Sequence, residues 1–108
     1  MDVSSLMTPS DLSAADIEDV GEALREGRPF RPAAGFRVLY AEASLDFEPI
    51  VLDDPVPLGR QLLTSAGVRA LEAYSLYAIV QNGDFEDVRL DEPFDLRAKG
   101  AERFLAFK

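Results

Sequence analysis

The chain has no cysteine and no histidine among its 108 residues. Without cysteine there is no disulfide framework and no thiolate metal site, which fits a reducing compartment such as the cytoplasm. Without histidine the commonest general acid–base is missing, and hydroxyl nucleophiles lose the partner that most often activates them. Lysine is scarce as well. Lys99 and Lys108 are both far in sequence from Ser44, Thr64, Ser65 and Ser75, so nothing points to a Ser–Lys pair. No apolar run approaches the length needed to cross a bilayer. The opening residues, Met1 to Leu12, lack the basic start and apolar stretch of a signal peptide. Gly59 and Gly67 do not form a phosphate loop. The expectation is a cytoplasmic protein that is not an enzyme and that uses no cofactor, metal or membrane.

What is present is acid. The net charge is −9, and nothing in that balance offsets phosphate repulsion, so nucleic acid is not an expected partner. The excess is uneven: residues 1–27 hold −6 and residues 28–108 hold −3. The first part therefore reads as a solvated acidic arm, either a recognition element or simply a soluble helix. Asp53–Asp54 and Asp91–Glu92 are paired carboxylates, but each pair precedes a proline and reads as turn or capping chemistry.

The pattern along the chain separates an arm, residues 1–35, from a domain, residues 36–108. Within the arm Ser13 and Asp16 resemble a capping box, and Ile17, Val20 and Leu24 recur at helical spacing, predicting an amphipathic helix over about 14–26 that stops at Gly27. A linker with Pro29 and Pro32 follows. In the domain, residues 36–41 and 47–52 read as strands, with Pro49 marking the second as an edge. Pro57 opens a helix to about residue 66 that buries Leu58, Leu62 and Leu63. Residues 74–80 are the clearest strand, and Asn82–Gly83 is a strong hairpin signal. Phe94 and Leu96 plug one end of the core, and residues 102–107 form a last strand that must pair non-locally.

One helix between two hairpin-like pairs, closed by a final strand, is the element order of a ubiquitin-like β-grasp. The expected fold is α+β, a mixed four- to five-stranded sheet packed on one helix, with an N-terminal helical arm. The blocks Asp53–Leu63, Ala66–Gly67 and Tyr74–Tyr77, with Leu90–Leu96 and Gly100–Phe104, resemble the bacterial multiubiquitin domain over residues 36–108. The resemblance implies a protein modifier or its precursor in a bacterial ubiquitination-like system, in a setting such as antiviral defence. Its implied partners are E1-like and E2-like proteins, a JAB-type peptidase and a target protein. It also implies reaction at a C-terminal end, here Phe107 and Lys108. Such an end is expected to be flexible and glycine-tipped, which these two residues are not. A non-conjugated interaction or scaffolding module is the alternative. Lys99 would be the internal acceptor if chains were built through side-chain amines, though a solvated turn lysine is the simpler reading.

Alternation assigns Val38, Ile50, Leu52, Leu76 and Phe104 to the sheet face that the helix covers. It puts Leu39, Val51, Tyr77, Ile79, Leu105 and Phe107 on the opposite face. An open face should alternate to polar residues, and this one stays apolar. Such a face marks a binding surface, unless the N-terminal helix folds over it or a second copy covers it.

Overall fold

The computed structural model describes residues 16–108. The chain opens with β1, Ile17–Asp19, and turns directly into α1, Val20–Glu26. It continues through β2, Gly35–Ala41, and β3, Glu48–Leu52, to α2, Gly59–Ser65. A single 3₁₀ turn, Leu71–Ala73, leads into β4, Ser75–Ile79, and β5, Phe85–Asp87. The short α3, Leu96–Lys99, and β6, Arg103–Phe107, complete it. No helix among the described residues is long and apolar enough to cross a membrane.

The centre of the sheet is a parallel pair, β2 with β6, in register Leu39 to Arg103 and Ala41 to Leu105. Each member carries an antiparallel neighbour: β3 on β2, from Phe36 opposite Leu52 to Tyr40 opposite Glu48, and β4 on β6, from Ser75 opposite Phe107 to Ile79 opposite Arg103. β5 closes the far edge against β4. Two hairpins joined through a central parallel pair, with α2 packed on one side, make the mixed sheet of a β-grasp. Pro49 lies on β3, whose one partner among the described residues is β2, as its missing N–H requires.

Among the described residues the sheet has six strands, not four or five, because residues expected in a helix form β1. Ile17, Glu18 and Asp19 pair in parallel with Gly35, Phe36 and Arg37. β1 and β6 thus share one edge of β2, β1 opposite its first half and β6 opposite its second. The helix begins at Val20, because Asp19 is its N-cap and accepts from the Glu22 N–H at 3.0 Å. The expected cap at Ser13 lies outside the described residues. The predicted stop holds: Gly27 ends α1 at φ 67° in the left-handed region, where glycine carries no steric penalty.

The core lies between the sheet and α2. Val38, Leu52, Leu76 and Phe104 from the strands meet Leu62 and Leu63 from the helix, all nearly or wholly inaccessible. Ile50 packs on the margin of this cluster. Phe94 and Leu96 plug one end, with the Phe94 and Phe104 rings edge to face at 5.8 Å. Val20 belongs to the same cluster, and Leu24, Phe30 and Ala33 rest against it.

Candidate functional site

The face turned away from α2 follows from the register. One row across the sheet runs Pro49, Leu39, Arg103, Ile79, Phe85. The next runs Ala41, Leu105, Tyr77, Asp87, and beyond it Phe107 faces Ser75. Leu39, Tyr77, Ile79, Leu105 and Phe107 therefore form one continuous patch. Val51 is on the same face but at its margin, beside Arg37. There its Cγ1 closes over Gly35 so tightly that a Cβ at Gly35 would collide with it.

Exposure is uneven. Phe85 is 59% exposed, Val51 42% and Phe107 38%, whereas Leu105 at 3% is roofed by its neighbours. Leu105 thus supports the surface more than it presents one. The Tyr77 and Phe107 rings pack at 6.2 Å between centroids. Phe47, from the β2–β3 loop, lies under the Arg103 guanidinium at 5.8 Å. Alternation from the buried Phe104 places Arg103 here, and β4–β5 pairing places Phe85. Both signals were in the sequence; the polar type of one and the weak strand around the other hid them.

Val20 and Leu24, two of the three apolar residues expected to lie over this face if the N-terminal helix covered it, pack into the core on the opposite side. Ile17 does reach the open face, but at its edge, close to Gly35 and Val51.

Among the described residues the segment before β2 holds the one buried charged side chain. Glu18 is 1% exposed, its carboxylate enclosed by the return of the chain. Arg28 donates to it at 2.6 Å, Arg31 through its side chain at 2.8 Å, and the Arg31 backbone N–H at 2.8 Å. The Arg28 guanidinium, helped by Arg31 and against the opposing effect of burial, holds the Glu18 carboxyl down to about 2 from an ordinary 4.5. Arg28 is raised in turn by Glu18 and Glu26. No sequence signal identified this cluster, since an acid within an acidic stretch reads as solvated. Tyr40 is pushed up by burial and by its hydrogen bond to Glu42 at 2.9 Å.

The remaining expected positions are distributed elsewhere. Lys99 ends α3 and pairs with Glu86 at 2.7 Å on a half-exposed surface. Phe107 is the last strand residue and Lys108 follows it, exposed. Asp54 accepts from the Val56 N–H within its own turn, whereas Asp91 forms a long-range pair with Arg60 of α2 rather than a turn contact. Among the described residues no group of three or more acidic side chains is arranged to hold a metal ion.

A protein-family model, Multiubiquitin, matches residues 42–108. That span takes in β3 through β6 and so most of the sheet. Comparisons with curated proteins and with solved structures give no match.

Proposed function

Because the chain belongs to the multiubiquitin family, we infer that it acts as a ubiquitin-like protein modifier, or the precursor of one, in a bacterial ubiquitination-like system. E1-like and E2-like proteins and a JAB-type peptidase would handle it in the cytoplasm, and a target protein would receive it. The family is generally non-enzymatic, and the chain itself would be the substrate of the chemistry. The observation that carries this reading is the apolar sheet face of Leu39, Tyr77, Ile79 and Phe107, which α1 leaves free by packing on the other side. A modifier is handed between several proteins, and one persistent docking surface lets each of them hold it.

The strand order favours a second reading at one point. Phe107 is paired with Ser75 and packed against Tyr77. If the reacting carboxylate were at Lys108, the end of β6 would have to peel away to enter an adenylating site. A non-conjugated interaction module needs no such step.

Intact mass after incubation with ATP and E1-like and E2-like proteins from the same organism separates the two. A thioester or isopeptide adduct mapped to the chain's C-terminal carboxylate is the result expected of a modifier. No adduct with enzymes shown to be active on another substrate would leave the interaction module.

A further inference from the structure

The middle of the open face is apolar except at one place, the polar residues Arg37, Ser75 and Asp87 lying at its margins. Arg103 lies in the row between Leu39 and Ile79, two apolar side chains on the flanking strands. Its guanidinium lies over the Phe47 ring at 5.8 Å, and the residue is exposed to solvent. In this acidic chain most arginines are engaged: Arg25, Arg28, Arg31, Arg37, Arg60 and Arg89 each hold a carboxylate. Arg103 holds none among the described residues, and of those that hold none it is the one on this face.

A cation stacked on an aromatic ring inside an apolar patch, with no carboxylate partner among the described residues, fits a particular occupant. Resting on the reading of this face as a recognition surface, we propose that it takes an apolar protein segment bearing an aspartate or glutamate placed to meet Arg103. The apolar flanks supply contact area, and the charge fixes register, because docking would bury Arg103 and leave it uncompensated without an anion. Arginine's planar fork matches a carboxylate through two parallel hydrogen bonds. A second copy fits poorly. Asp19 and Asp87, the acids at the margins of the face, are already held by Arg37 and Arg89, and two chains of net charge −9 repel.

The test selects random displayed peptides on the full-length protein and then measures the enriched ones, synthesised, by calorimetry. Enriched sequences should combine apolar residues with at least one acid. Their affinity should fall by about five- to fiftyfold for Arg103→Gln and also fall for Tyr77→Ala, with unchanged amide spectra showing that both variants fold. Selection on Arg103→Glu should exchange the acid for a lysine or arginine. Peptides lost with Tyr77→Ala but without acid bias, and bound equally by Arg103→Gln, would overturn this inference and leave the recognition surface standing. Failure to enrich any peptide sensitive to Tyr77→Ala would overturn both. So would sedimentation as a dimer broken by Tyr77→Ala, or nuclear Overhauser contacts from residues 1–15 to Tyr77, since each assigns the face a different occupant.

Discussion

Arg28 donates to Glu18 at 2.6 Å across a loop of chain that leaves the sheet as β1 and returns as the linker before β2, and the carboxylate it meets has no exposed side-chain surface. The pair, with Arg31, fastens that loop to the edge of the sheet. Burying a carboxylate is unfavourable unless its oxygens are satisfied, and here both oxygens are occupied by guanidinium or backbone donors.

Replacing Glu18 by Gln keeps the shape and one acceptor but removes the charge. The two guanidiniums can turn to water, so the loss should be smaller than for a fully enclosed triad: about 1–3 kcal/mol. Urea unfolding followed by circular dichroism measures it. A midpoint equal to the wild type would mean that the cluster contributes nothing net.

The same carboxyl sets a pH dependence. Its folded value of about 2 lies below the ordinary 4.5, so the unfolded chain takes up the proton first as pH falls. The stabilisation is complete above about 4.5 and is lost progressively down to about 2. Melting temperature should therefore fall more steeply across that window in the wild type than in Glu18→Gln. Parallel curves for the two proteins would show that other carboxylates dominate acid unfolding.

The β-grasp was legible because its signals are local and strong: Pro57 before α2, Asn82–Gly83 between β4 and β5, and alternation through Leu76 and Phe104. The last strand could be deduced by elimination, since β4 already had a hairpin partner. β1 was not legible. Three residues cannot show a period, and Ile17 and Val20 fit helical spacing as well as they fit a strand followed by a helix. What decides the outcome is the vacant edge of β2 ahead of β6, a tertiary fact, together with the capping preference of Asp19. Glu18 is hidden for a related reason, because its partners are supplied by the returning linker. On the open face alternation sorted the right residues to one side, but not their exposure: Leu105 and Phe107 share a strand and a face, and only Phe107 reaches solvent.

Two helical glycines should respond very unequally to alanine. At Gly59 a Cβ would strike the backbone of Arg89, which also accepts the Gly59 N–H. Two backbones would have to separate, so Gly59→Ala should destabilise by about 2–3 kcal/mol. At Gly21 the obstacle is the Glu102 carboxylate, the end of a flexible side chain held by Arg25 at 3.0 Å. Glu102 can swing away, and the lost exposed pair is offset by alanine's better helix propensity, leaving a change within about 1 kcal/mol. Thermal melts of the two variants check the contrast; similar losses at both sites would show that Glu102 is held more firmly than its exposed partner implies.

The adjacent residues Leu76 and Tyr77 divide stability from recognition. Leu76 points into the core at 2% exposure, in the cluster with Leu62, Leu63 and Phe104. Truncation there opens a cavity that the sheet and α2 cannot both collapse into, so Leu76→Ala should cost about 2–5 kcal/mol. Tyr77 is only half-buried, against Leu105 and the Phe107 ring on the open face. Tyr77→Ala forfeits one aromatic contact and some area, about 1 kcal/mol, while removing the largest half-exposed anchor from the proposed docking patch. Denaturant midpoints should therefore separate the two variants clearly, and peptide binding by folded protein should fail for Tyr77→Ala alone. Equal destabilisation would mean that Tyr77 is structural and that the open face is held together too tightly to act as a recognition surface.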